Sequence, residues 1–117
     1  LPVVTDPRLR ECKFGDWEGL TVTEIVERYS DLYANYRKDS VRYRAPNGER
    51  LEHMQERAVQ VIDEICSKHP DGNVVIVTHA GPIKAVLCHT LGTSLHTFRS
   101  VRLDNGGIEV NALFLKV

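Results

Sequence analysis

The run Val74-Val75-Ile76-Val77, closed by Thr78-His79-Ala80-Gly81-Pro82, constrains this chain more than any other stretch. Four apolar β-branched residues in succession, without the alternation of a half-exposed strand, read as a short strand buried on both faces. Gly81-Pro82 breaks it, and the apolar run from Ile83 reads as a helix ending near Leu91-Gly92. Thr78 and His79 then fall at the strand's carboxyl end, which in open parallel α/β sheets faces the ligand crevice. The helix N-terminus just beyond offers unbonded N–H groups to an anion. So placed, His79 can meet a phosphate or carboxylate; the plainer reading is a histidine that caps a strand end.

Leu1 to Val4 reads as a short edge strand, ended by the turn signal Thr5-Asp6-Pro7. Arg8 to Gly19 has no clean period and reads as a structured loop around Asp16-Trp17-Glu18. Within it, a Glu11 carboxylate crowded by Phe14 and Trp17 would be partly desolvated and suited to proton donation. The alternative for Glu11 is a surface ion pair with Arg8 or Arg10. Trp17 is a core or lid anchor.

Thr21-Val22-Thr23-Glu24 has the form of a capping box and opens a helix through about Tyr29 or Tyr33. Its apolar face is Val22, Ile25, Val26 and Tyr29. Asp31 to Ala45 is polar and aromatic, with Arg37, Lys38, Arg42 and Arg44 set among tyrosines. Tyr33, Tyr36, Arg37 and Arg42 are candidates for a lid facing an anionic substrate, and otherwise a solvated surface. After the turn Ala45-Pro46-Asn47-Gly48, residues Glu49 to His69 read as the longest helix. Arg57 falls near its apolar face, where it can brace a neighbouring loop. Thr93 to Arg99 suggests a further helical turn. Val101 to Leu103 and Ile108 to Val117 read as strands about the hairpin signal Asp104-Asn105-Gly106-Gly107. The order predicts one α/β domain over residues 1–117, with helices flanking a sheet.

A formal net charge of −1 gives no basic field for nucleic acid. The three cysteines, Cys12, Cys66 and Cys88, are isolated and lack C-x-x-C spacing, which argues for a reducing compartment and against a disulfide frame or a zinc site. No apolar run approaches membrane-spanning length, so a cytoplasmic protein with no membrane partner is the expectation. His89 and His96 lie seven apart, but Gly92 interrupts them and no carboxylate or cysteine completes a metal shell. There is no phosphate-binding glycine loop, no H-E-x-x-H and no G-x-S-x-G.

Leu9-Arg10-Glu11, Phe14-Gly15-Asp16-Trp17-Glu18-Gly19, Pro46-Asn47-Gly48-Glu49, Arg57 and Val75-Ile76-Val77-Thr78-His79-Ala80-Gly81 stand in an order and spacing that resembles the histidine phosphatase superfamily. Among these phosphoglycerate-mutase-like enzymes, the chain resembles especially the α-ribazole and broad-specificity phosphatase branch. The resemblance implies a three-layer α/β/α domain and phosphoryl transfer through a phosphohistidine, without metal or other cofactor. It implies that Glu11 donates the proton to the leaving-group oxygen. His79 would be the second histidine, holding the phosphoryl group and stabilising its equatorial oxygens, and Ala80 would offer them a backbone N–H. The family turn matched by Gly48-Glu49 usually continues with serine; here it is Arg50.

The family's Arg-His-Gly, which carries the nucleophilic histidine, has no counterpart: none of the five histidines is preceded by arginine and followed by glycine. The chain thus looks like the carboxyl-terminal part of such an enzyme, incomplete at its amino end, with the nucleophile supplied by a missing segment or a partner chain. Three readings follow. The chain carries the acid and second histidine of a phosphatase acting on a phosphorylated small molecule, it is a non-catalytic binding domain, or it belongs to a mutase. The shortness of the region after the first helix favours the phosphatase.

Overall fold

The computed structural model describes residues 1–107. Three helices dominate: α1 (Val22–Lys38), α2 (Leu51–Lys68) and α3 (Ala80–Thr90), with 3-10 turns at Pro7–Leu9, Gly15–Trp17 and Leu95–Ser100. The capping box forms as its sequence requires. Glu24 N–H donates to Thr21 Oγ1 at 3.2 Å, and Thr21 N–H donates to the Glu24 carboxylate at 2.7 Å.

Helix α1 runs past its expected end, to Lys38, across a kink where Tyr29 leaves helical geometry (φ −135°, ψ 40°). Tertiary packing explains the extension. Tyr29, Tyr33 and Tyr36 recur at helical spacing and gather about buried Trp17, with ring centroids 6.2, 5.6 and 5.2 Å from its own. Edge-to-face contacts of this kind add roughly 0.5–1.5 kcal/mol each beyond area burial. Ile25 joins this cluster, whereas Val22 and Val26 stay exposed. The buried stripe therefore follows the aromatics rather than the valines.

Helices α2 and α3 form the second packing unit. Met54, Ala58 and Val61 on α2, together with Ala85, Val86 and Cys88 on α3, are buried, and Gln55 Nε2 bonds the Ala85 carbonyl at 2.8 Å. Arg50 occupies the N-cap of α2 and makes no side-chain cap bond. Arg50→Ser should therefore stabilise the fold by about 1 kcal/mol, read as a raised urea midpoint at unchanged slope.

The expected α/β sheet, and with it the three-layer α/β/α architecture, is absent among the described residues, none of which is in a strand. Residues 1–6, 73–79 and 101–103 have no regular structure. Val75 and Val77 are 87% and 89% exposed, and Val3 and Val4 are each 89% exposed. A strand draws its hydrogen bonds from neighbours, and these segments pair with no other described strand, so β-branched composition alone does not produce one. The turn at Asp104 does form, through Gly107 N–H to the Asp104 carbonyl at 2.9 Å. The second arm of the expected hairpin, 108–117, lies outside the described residues.

Candidate active site

The site lies where the loop after the first 3-10 turn meets the N-terminus of α3. His79 is the N-cap of α3, with extended backbone (φ −115°, ψ 164°) and an exposed side chain. Thr78 anchors it from behind by donating its hydroxyl to the Leu9 carbonyl. Pro82 near the start of α3 has no N–H to leave unsatisfied. The first-turn N–H groups of Ala80 and Gly81 have no intrahelical acceptor and are open to an anion.

One of them is taken. Gly81 N–H donates to Glu11 Oε2 at 3.2 Å, while Cys12 N–H donates to Oε1 at 2.8 Å. The half-buried Glu11 carboxyl is thereby docked on the helix end that His79 caps. The approach depends on glycine: a Cβ at position 81 would sit 2.0 Å from Glu11 Oε1 and 3.2 Å from Met54 Sδ. Glu11 makes no ion pair with Arg8 or Arg10. Arg8 instead bonds Asp6 and Glu64, and Arg10 bonds the Pro7 carbonyl.

Arg57 braces the loop that carries Glu11. It is a buried guanidinium on α2, 7% exposed, and it bonds the carbonyls of Arg8, Arg10 and Glu11. Its other hydrogens go to both carboxylate oxygens of Glu49, at 2.7 and 2.9 Å. The Glu49 side chain is 6% exposed. Burial pushes its carboxyl upward, but the Arg57 guanidinium, the Lys13 N–H and the His53 ring outweigh that and hold it at about 2. A buried charge needs this kind of partner, so Glu49 and Arg57 stand or fall together.

The same two loops are tied edge to edge. Glu49 N–H donates to the Lys13 carbonyl at 2.8 Å, and Asp16 N–H donates to the Pro46 carbonyl at 2.9 Å. Gly15, at φ +49°, permits this contact, because a Cβ there would lie 2.3 Å from the Pro46 oxygen. Between these loops, the end of α1 and α3 lies a pocket of about 180 Å³, whose lining includes Glu11, Ala80 and Gly81. Cys12 also lines it, but burial first and the charges of Glu49 and Glu11 next push its thiol up to about 11, so it stays protonated.

Of the residues singled out from sequence, Glu11, His79 and Ala80 converge on this helix end. Tyr36 lines the pocket, Tyr33 packs on Trp17, and Arg37 and Arg42 are exposed and outside the pocket lining. Arg42 lies over the Tyr43 ring at 5.5 Å. Lys13, Arg44 and Lys84 line the pocket instead. Arg44 was legible only as one of four arginines and lysines in a row of tyrosines; Lys13 and Lys84 carry no sequence signal of their own. The partner of Arg57 could have been sought from sequence, because an arginine within the apolar stripe Met54, Ala58, Val61 must meet a counter-charge.

The chain is similar to several known proteins. The chain is 29% identical to phosphoserine phosphatase 1 of Hydrogenobacter thermophilus, over 94% of its own length and 52% of that protein. It is 25% identical to the adenosylcobalamin/α-ribazole phosphatase of Escherichia coli, over 97% of its own length and 58% of that protein. Among solved structures, a mycobacterial glucosyl-3-phosphoglycerate phosphatase superposes with a TM-score of 0.77 at 27% identity, over 87% of this chain and 52% of that one. The chain thus spans about half the length of the relatives it matches. Residues 1–113 match the histidine phosphatase superfamily (branch 1), and the chain belongs to that family.

Proposed function

We propose that these residues carry the leaving-group acid and the second phosphoryl-binding histidine of a metal-independent phosphomonoester hydrolase. The observation that carries this reading is the Glu11 carboxyl seated on the Gly81 N–H, at the end of the helix that His79 caps. The phosphatases among the chain's relatives support it as well.

In this mechanism a histidine from a further segment, in the same protein or another chain, attacks phosphorus. The ester P–O bond breaks, and Glu11 gives its proton to the departing alcohol oxygen. His79, the Ala80 N–H and the positive end of α3 stabilise the charge on the equatorial oxygens. Glu11, now a carboxylate, accepts a proton from the water that attacks the phosphohistidine, which restores both groups and releases inorganic phosphate. Hydrolysis rather than a retained phosphoryl group is favoured by the short connection between α1 and α2, residues 39–50.

The test is phosphate release by the whole protein as it occurs in its source. Glu11→Gln should slow hydrolysis of an alkyl phosphate by roughly 10²–10⁴, and that of an aryl phosphate far less, since a good leaving group needs no proton. His79→Ala should slow both by roughly 10²–10³. A binding domain without catalysis predicts that both substitutions are silent. Residues 1–117 alone should release no phosphate, and a His79-dependent turnover by them would refute the supplied nucleophile.

A further inference from the structure

Four successive carbonyls of the loop that carries Glu11 (the acid loop) each accept a hydrogen bond from a side chain. Arg57 on α2 serves Arg8, Arg10 and Glu11, and the hydroxyl of half-buried Thr78 serves Leu9. Arg10 is extended (φ −67°, ψ 161°), so the Leu9 and Arg10 carbonyls leave the chain on different sides. The segment that ends in Glu11 is thus gripped from two directions, by α2 and by the residue that precedes His79.

These bonds close a triangle. Gln55 Nε2 holds α3 to α2 through the Ala85 carbonyl at 2.8 Å, and Arg57, two residues further along α2, holds the acid loop. Two bonds span the third side, from the acid loop to the His79 end of α3: Gly81 N–H to Glu11 Oε2, and Thr78 to Leu9. They differ in kind. An N–H bond to a carboxylate is roughly twice as strong as one to a neutral partner, so the Gly81 contact changes strength each time Glu11 loses or regains its proton. The Thr78–Leu9 bond joins two groups that do not titrate. Among the described residues it is also the only hydrogen bond made by 73–78. His79 itself is held on its other side, where its carbonyl accepts the Ile83 N–H at 3.2 Å.

We infer that Thr78 is a positioning residue, whose hydroxyl fixes the spacing between His79 and Glu11 while the acid changes charge. The inference rests on the proposed hydrolysis for what the spacing serves: the phosphorus that His79 holds and the oxygen that Glu11 protonates are the two ends of one bond. An alkyl ester needs both ends served at once, whereas an aryl ester depends chiefly on the His79 end. A slip between the two therefore penalises the alkyl ester most.

The experiment is Thr78→Val and Thr78→Ser in the whole protein, assayed on both esters at a temperature where each variant is folded by circular dichroism. Thr78→Val should lower kcat on the alkyl ester roughly 10–100-fold with KM within about threefold, and the aryl ester should lose at least about fivefold less. Thr78→Ser keeps the donor and should stay within about threefold of wild type on both. In Glu11→Gln, where no acid is left to align, adding Thr78→Val should slow the alkyl ester by about threefold at most. Amide exchange followed by NMR reads the tether without chemistry. Thr78→Val should speed exchange about tenfold at Gly81 and Cys12, the two donors to the Glu11 carboxyl, and leave Ala58 and Val61 inside α2 within about threefold. If Thr78→Val does not fold, Thr78→Ala takes its place with the same thresholds. An unchanged alkyl rate, equal losses on the two esters, or a Thr78→Ser variant as slow as Thr78→Val overturns the inference and leaves the proposed hydrolysis standing. If the wild-type protein hydrolyses neither ester, the proposed hydrolysis fails and exchange decides the tether: faster exchange at Gly81 and Cys12 sustains it, and unchanged exchange refutes it.

Discussion

Gly81→Ala is expected to remove phosphatase activity as thoroughly as the loss of the acid itself, by roughly 10²–10⁴ on an alkyl phosphate. One added methyl achieves this because its carbon would stand 2.0 Å from Glu11 Oε1 and 3.2 Å from the sulfur of fully buried Met54. Neither the carboxyl nor the helix can hold its place. If Glu11 swings away, the Gly81 N–H is freed, and if α3 shifts, His79 and Ala80 move with it. The strain should also cost about 1–3 kcal/mol of stability. Steady-state rates on alkyl and aryl phosphates, taken at a temperature where the variant is folded by circular dichroism, separate the two effects. A variant that keeps wild-type rates on the alkyl ester would show that the Glu11–Gly81 contact is not the working position of the acid.

The second large effect concerns stability. Arg57→Ala is expected to destabilise the protein by about 3–5 kcal/mol, because it leaves the Glu49 carboxylate buried and uncompensated and strips three carbonyls of the acid loop of their donor. Glu49→Ala should cost a similar amount by stranding the guanidinium. The pair also sets a pH dependence. Glu49 is held at about 2 in the folded chain against an ordinary 4.5, so the unfolded state binds its proton first as pH falls. The stabilisation is therefore complete above about 4.5 and is lost progressively between 4.5 and 2. Urea unfolding of wild type across that window should show the midpoint falling with pH, and Glu49→Gln should flatten the fall. An unchanged slope in that variant would assign the acid sensitivity to other carboxylates.

Local signals in the sequence were the ones that survived into structure. The Thr21–Glu24 box, the turn at Pro46-Asn47-Gly48 and the Ala80 helix behind His79 depend on neighbours a few residues away, and all three form. The continuation of α1 to Lys38 was hidden because its cause is Trp17, brought to those tyrosines from outside the helix. The strand at Val74–Val77 failed for the same reason in reverse. Its composition is favourable, but a strand's energy resides in partners, and none of the described residues supplies them. Glu11 and His79, the residues proposed to carry the chemistry, stood out in the sequence by their motifs. Of the basic residues lining the pocket, Arg44 stood out only as one of a basic run among tyrosines, and Lys13 and Lys84 not at all, because exposed lysines and arginines carry no periodic signature until a fold gathers them.

Trp17 gives the molecule a built-in optical reporter. It is the chain's single tryptophan, so its emission comes from one known place. Three tyrosine rings lie within 6.2 Å of it, close enough to pass absorbed light to the indole. Excitation of the tyrosines should therefore yield tryptophan-coloured emission only while α1 remains wrapped around the loop that carries Glu11. Loss of that transfer, followed in real time, would register the loosening of the acid loop separately from the melting of α2 and α3.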